Sequence, residues 1–294
     1  MFGPCPYSYV VTSTLARYPV NLFALCRYCR SRRTGDTVVL YFRPRKKEED
    51  TIWVLAANVN CFSLDRRGGQ YDNFCRVLRA AQVDIACGQE HNLETTKLTI
   101  RSILHNTTQQ HWRKNRIDFA SIPLKFKNLY KPSGTFIIST GNVTSHLCGR
   151  FQDKWGRWTS QTYRGRAGSS LTVISAYQVV TDTPARGTST TAAAQQYSLI
   201  LQTQDQIRAP WAAFCRDLTK YIKECQSTGH EVFLMGDFNE CIGQDPDGMK
   251  KVIEHVNWLI SVIHLYKVDY NMAIGLKWRA AVYWAETLNL LHKG

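Results

Sequence analysis

The chain has 294 residues, 44% of them hydrophobic and 12% aromatic, which is enough for one large layered domain or two ordinary ones and argues against disorder. An excess of 37 Lys and Arg over 23 Asp and Glu gives a net charge of +14, which points toward polyanionic partners, because a basic surface attracts phosphates whatever their sequence. No uninterrupted apolar run reaches membrane-spanning length, and the N-terminus lacks the ordered basic, apolar and small-residue regions of a signal peptide, so neither a membrane protein nor a secreted one is expected.

The ten cysteines are scattered through apolar stretches, as at Cys75, Cys87 and Cys215, where a free thiol behaves as a small hydrophobe. They read as reduced thiols of an intracellular, nuclear protein. Cys26 and Cys29 form a CxxC, but no second pair follows at zinc-site spacing.

The first fifty residues break into short mixed pieces and turn strongly charged at "FRPRKKEED", so residues 1–50 read as a basic N-terminal extension. From 51 onward strands and helices alternate: strand at 51–60, helix at 71–82, strand at 83–90, helix at 93–106. The middle is rich in β-branched and aromatic residues bounded by Gly and Ser, which predicts antiparallel strands at 133–140, 156–164 and 169–177. Two helices, 192–204 and 211–226, lead to a strand at "EVFLMGDFNE", and a further helix is predicted over 246–266. The rhythm is that of an α/β protein with a mixed sheet flanked by helices.

Strand ends carry the chemistry. Alternation along "EVFLMGDFNE" sends Asp237 and Asn239 to one side and Phe238 to the other. Three more strands close with polar groups: Asn58 and Asn60 on the first, Gln89 and Glu90 on the second, and Tyr177 on "LTVISAY". Gathered at one rim, two carboxylates, four amides and a phenol suit a hard cation such as Mg²⁺ and a phosphate, since Mg²⁺ takes oxygen ligands and commonly only one or two carboxylates. The histidines read as lying away from these ends. The stretch "QDKWGRWTSQTYRGR" at 152–166, basic with interleaved aromatics, is a candidate for tracking a nucleic-acid backbone.

In the order "NVNCF", "DIACGQE", "ISAY" and "LMGDFNE", the sequence resembles the endonuclease/exonuclease/phosphatase superfamily, the DNase I-like fold, and in form the endonuclease domains of non-LTR retrotransposons. The resemblance covers roughly residues 51–270. It implies a four-layered α/β sandwich, two packed mixed sheets with helices outside, and cleavage of phosphodiester or phosphomonoester bonds with a divalent metal, Mg²⁺ or alternatively Mn²⁺. Carried over residue by residue, it makes Glu90 the metal carboxylate with Asn58 and Asn60 beside it. Tyr177 becomes a donor to the scissile phosphate, Asp237 the group that orients or deprotonates water, and Asn239 a support for phosphate oxygens. The implied partner is nucleic acid, duplex DNA, with a reverse transcriptase encoded nearby.

The sequence departs from the pattern in its last part. "KVDY", with Asp269, matches one expected strand, but the Ser-Asp-His motif that should follow is represented only by His292, preceded by Leu291. Either His292 is the phosphate-binding histidine, oriented by Asp269, or residues 271–294 form a divergent amphipathic helix and His292 is its polar end; the second is the favoured expectation, with the sandwich lacking its last core strand. Function divides accordingly. A Mg²⁺-dependent DNA endonuclease, crippled by the altered tail, is the leading expectation; a catalytically inactive nucleic-acid-binding remnant of the same fold is the alternative, and a phosphatase of inositol or lipid phosphates a weaker one.

Overall fold

The computed structural model describes residues 11–13, 52–64, 69–123, 131–165, 168–179, 191–203, 209–239, 248–256, 260–261 and 279–285. In chain order the elements are β1 (Val11–Ser13), β2 (Ile52–Asn58), α1 (Gln70–Ala80), β3 (Ile85–Gln89), α2 (Leu98–His111), β4 (Asn115–Ala120), β5 (Thr135–Thr140), a 3-10 helix (Gly141–His146), β6 (Leu147–Gln152), β7 (Trp158–Arg164) and β8 (Ser170–Tyr177). There follow α3 (Ala192–Gln202), α4 (Pro210–Ser227), β9 (His230–Asp237), α5 (Met249–His255), β10 (Ile260–Ser261) and β11 (Arg279–Ala285).

The strands form two mixed sheets, one of order β10-β1-β9-β8-β7-β6 and one of order β11-β2-β3-β5-β4. Strand alternation explains their stacking. Along β2, Ile52, Val54 and Ala56 meet Val173, Phe233 and Met235 of the other sheet, while Leu55 and Ala57 meet Phe74 and Leu78 of α1. On the opposite side, Ile174, Val232 and Leu234 bury against Phe214, Leu218 and Ile222 of α4 and Val252 of α5. Covered on both faces, these central strands are near-continuous apolar runs. Cys75, Cys87 and Cys215 are buried among them. The result is the four-layered α/β sandwich, helices outside two packed sheets.

Several boundaries differ from the sequence reading. β4 and β6 are additional strands; each is the last strand of its sheet, and edge strands mix charge with apolar residues, as Arg116 and Asp118 do in β4 and Gly149 and Arg150 in β6. The helix expected over 246–266 is shorter, because Ile260–Ser261 pairs with β1. Part of the N-terminal segment belongs to the sheet: Thr12 pairs with Leu234 and Ser13 with Phe233.

The largest correction concerns the tail. Residues 279–285 are a strand and not a helix: β11 pairs antiparallel with β2 in seven steps, from Arg279 opposite Asn58 to Ala285 opposite Ile52. The physical reason is the outer edge of β2, whose backbone donors and acceptors need partners, and the β-favouring run Val282-Tyr283-Trp284 supplies them. A strand thus closes the sheet beside β2, where none was expected.

Candidate active site

Two parallel pairs bring four strand ends to one rim. In one sheet Asn58 of β2 stands opposite Gln89 of β3; in the other Tyr177 of β8 stands opposite Asp237 of β9. Parallel strands end on the same side, so the polar residues that close them converge. Below the rim the sheets are stitched by Gln89, whose Nε2 donates to Ser175 Oγ at 3.0 Å, and by Ser175, whose hydroxyl donates to the Gly88 carbonyl at 3.1 Å.

At the rim itself Asn58 Nδ2 donates to Asp237 Oδ2 at 2.7 Å, with both side chains buried. The amide oxygen of Asn58 accepts from the Asn60 N–H at 3.0 Å. Asp237 Oδ1 accepts from the Asn239 N–H at 3.2 Å, and Asn239 Nδ2 donates to the Gln178 carbonyl at 2.7 Å. The preceding Gly236 leaves no room for a side chain: a Cβ there would lie 2.1 Å from the Ala176 carbonyl oxygen. That close approach of β8 and β9 sets the depth of Asp237.

Left-handed backbone concentrates here. Among the described residues the non-glycine positions with positive φ include Asn60 (43°), Cys61 (87°), Glu90 (57°), Asn92 (53°) and Asn239 (49°). Such conformations cost about 1 kcal/mol or more each and persist where surrounding bonds over-determine them. For Glu90 those bonds run from its N–H to the Gly134 carbonyl, 2.8 Å, and from the Cys61 N–H to its own carbonyl, 2.6 Å. The turn lifts its half-buried carboxylate to the rim.

Burial pushes the Tyr177 phenol well above its usual range, and the Glu90 carboxylate, by charge and by accepting its hydrogen bond, pushes it further, with Asp237 adding to the effect. Tyr177 therefore keeps its proton and acts as a hydrogen-bond donor. Behind Glu90, His91 is fully buried; its Nδ1 accepts from the Leu93 N–H at 3.0 Å, so the Nε2 proton goes to the Ala120 carbonyl, 2.8 Å away. Burial pulls its pKa down to about 4.

The structure thus brings together Asn58, Asn60, Glu90, Tyr177, Asp237 and Asn239. Asp269 and His292 lie outside the described residues. Two sequence readings are corrected. Histidines are not all remote from the strand ends, since His91 adjoins Glu90; its place directly after "GQE" was the available signal. Within the stretch 152–166, Arg157 is not a solvent-facing cation: Trp155, Arg157 and Trp158 are buried, while Lys154 and Arg164 are exposed. The Arg157 guanidinium lies 4.4 and 4.7 Å from the two indole rings. It is forked on Asp153, with Nε–Oδ2 at 2.8 Å and Nη2–Oδ1 at 3.0 Å, and reaches Asp217 at 2.8 Å. Its carbonyl accepts the Tyr177 N–H at 2.8 Å, so this buried cluster holds the start of β7 against the end of β8.

The side chains gathered at the rim are carboxylates, carboxamides and a phenol, all oxygen donors, and among the described residues no group of three or more His, Cys, Asp and Glu is assembled. Glu90 and Asp237 with the Asn58 and Asn60 carboxamides match a hard divalent cation that keeps most of its water.

Fold and site together define a layered α/β sandwich with an acidic-amide rim. The sequence matches the Endonuclease/Exonuclease/phosphatase family over residues 55–247, and the chain belongs to that family, a family of nuclease- and phosphodiesterase-type hydrolases and phosphatases whose members commonly use divalent metals. No curated protein matches it. Among solved structures it is similar to an endonuclease/exonuclease/phosphatase family protein from Leptotrichia buccalis C-1013-b, at 12% identity over 80% of this chain and 100% of that one with a TM-score of 0.45. It is also similar to an AP endonuclease from Archaeoglobus fulgidus, at 16% identity over 80% and 86% with a TM-score of 0.42. A third is D. rerio TDP2 complexed with single strand DNA product, at 11% identity over 82% and 86% with a TM-score of 0.40.

Proposed function

We propose that this protein is a divalent-metal-dependent phosphodiesterase acting on DNA, of the type carried by non-LTR retrotransposons. The observation that carries the reading is the bond from Asn58 to Asp237, which locks a carboxylate of one sheet to an amide of the other beside Glu90 and Tyr177. Net charge of +14 favours a polyanion over a small phosphoester or a lipid headgroup.

Each residue has a distinct task. Glu90, with Asn58 and Asn60, holds Mg²⁺ or Mn²⁺, which when bound supplies charge stabilisation at the phosphoryl oxygens. Asp237 has one oxygen committed to Asn58 and the other near the Asn239 N–H, so it accepts a proton from a water while its carboxylate stays fixed. Tyr177, kept protonated, would donate to a phosphate oxygen when a cation takes the Glu90 carboxylate that accepts its proton here, and Asn239 would steady the same group. His292, with Asp269 to orient it, would be a further donor only if the chain doubled back after Ala285, which stands opposite Ile52 at the end of β2 away from the rim.

A second reading, a nucleic-acid-binding protein that does not cut, is favoured by Leu291, which stands before His292 where the family pattern has Asp. Nicking of supercoiled plasmid with Mg²⁺ separates the two. The nuclease reading expects nicking that falls at least about 100-fold in Asp237→Ala, the typical effect of removing a group made for the transition state. Salt-sensitive duplex binding with no nicking at all selects the second reading. Nicking that survives Asp237→Ala overturns the assigned roles.

A further inference from the structure

Strands β4 and β6 are the last strands of their respective sheets and lie side by side on one flank, with α2 next to β4. Between these elements is a cavity of about 580 Å³, within the roughly 300–1,000 Å³ of small-molecule sites. Register gives its direction. β4 ends at Ala120, opposite Thr135, itself opposite Gln89 next to Glu90. β6 ends at Gln152, opposite Thr159, next to Trp158, which stands opposite Ala176 beside Tyr177. The groove therefore begins at the rim, where Thr95 and Gln152 line it, and descends along α2.

Its walls divide by chemistry. Arg101, His105 and Arg150 are exposed at the opening. Phe119 and Leu104 form a buried apolar floor. Arg101 Nε donates to the Thr95 carbonyl, which anchors the root of its guanidinium. Arg150 Nη1 lies 3.6 Å from Asp118 Oδ1, and the buried Asp118 is also held by Gln161 Nε2 at 2.7 Å. The groove lining thus holds two guanidinium groups and one carboxylate, and the balance is positive. Phe151, on the face of β6 opposite Arg150 and Gln152, is 43% exposed, has one ring face stacked on Tyr221 with ring centres 4.6 Å apart, and borders the groove from that side. Guanidinium forks bind phosphate, and the open face of an exposed ring binds a base face.

We propose that this flank is a second nucleic-acid contact, a groove that holds a nucleotide of a single strand running from the rim along β4, β6 and α2. It rests on the nucleic-acid reading of the site above. A free nucleotide presents the same phosphate and base, so the test distinguishes the two sources.

The experiment is fluorescence anisotropy with a labelled oligothymidylate, without metal, on the full chain. Arg101→Gln/Arg150→Gln should weaken binding about tenfold or more and lower the salt slope by about 1.4, two lost phosphate contacts at about 0.7 each on a single strand. Phe151→Ala should weaken it at least about fivefold, the effect of losing one stacked base. Arg101 and Arg150 are exposed, so their double variant should melt with wild type, and Phe151→Ala, which also loses its stack on Tyr221, is assayed well below its own melting temperature. Unchanged affinity and slope in both variants, or no binding by wild type, overturns the groove, whereas the catalytic reading stands or falls on nicking by Asp237→Ala. Thymidine monophosphate competing as tightly as the strand overturns the strand assignment in favour of a free-nucleotide pocket.

Discussion

Asn58 and Asp237 are 179 residues apart in sequence and 2.7 Å apart in space, each on the end of a buried strand and each on a different sheet. A charge-assisted bond between buried groups contributes about 1.5–3 kcal/mol, and removing one partner exposes the other to its desolvation penalty. Asn58→Ala should therefore destabilise the fold by about that amount, and a double-mutant cycle with Asp237→Ala should give a coupling energy of about 1–3 kcal/mol. Urea denaturation measures both. Asn58→Asp should be worse than Ala at neutral pH and partly recover in acid, because it sets a second carboxylate against the first. Additive single effects would mean the bond contributes nothing.

His91 makes stability depend on pH in a defined direction. Its folded pKa of about 4 lies below the ordinary value of 6.5 because the ring is buried. Between these values the unfolded chain binds the proton and the folded one does not, so stability is complete above about 6.5 and falls as pH drops through the window toward 4. The full loss is about 3 kcal/mol, at about 1.4 kcal/mol per pKa unit. Because carboxylates such as Asp72 and Glu94 also change their contribution in acid, the readout is the difference between wild type and His91→Gln. That difference should narrow by about 3 kcal/mol from pH 7 to pH 4. A constant difference would show that the ring titrates normally.

How far the site could be read from sequence follows from where its residues sit. β2, β3, β8 and β9 are buried on both faces, so their long apolar runs make the closing Asn58, Glu90, Tyr177 and Asp237 conspicuous. β4 and β6 lie at sheet edges, and their mixed polarity looks like loop. β11 was misjudged because a six-residue apolar stretch at 280–285 carries no decisive period; only the edge of β2 selects strand. His91 shows no chemistry in sequence, since its tautomer depends on the Leu93 N–H and the Ala120 carbonyl. Arg157 looked like a cation available to phosphate because one of its two acidic partners, Asp217, is 60 residues away.

That partnership makes its own prediction. Arg157 is 1% exposed and shared between Asp153 and Asp217. Breaking a buried ion pair by removing one partner typically costs about 3–5 kcal/mol, because a carboxylate is left uncompensated, and Arg157→Ala should show a loss of that order in urea denaturation. Asp217 is partly exposed, which places the expected value toward the lower end. Arg157→Lys should recover little, since an ammonium has neither the fork nor the flat face between the two indoles. Its duplex DNA binding should keep the wild-type salt slope, because a buried guanidinium reaches no phosphate. A reduced slope would return Arg157 to the binding surface.

Glu90 tests the cation directly. Among the described residues its carboxylate is the acidic group on β3's end of the rim, brought there by a left-handed turn whose bonds are to backbone; Gln at this position keeps the shape and removes the charge. A ligand that binds only the folded state stabilises it by about 2.7 kcal/mol at a concentration one hundred times its dissociation constant. Mg²⁺ should accordingly raise the melting temperature of the wild-type protein, by several degrees as it approaches saturation, and leave Glu90→Gln unchanged, because a neutral amide is a poor substitute for a carboxylate at a hard cation. The same titration with Asp237→Asn should show a smaller loss than with Glu90→Gln, since Asp237 has one oxygen committed to Asn58. Equal stabilisation of wild type and Glu90→Gln would remove Glu90 from the metal site, and a greater loss in Asp237→Asn would transfer the ligand role to Asp237.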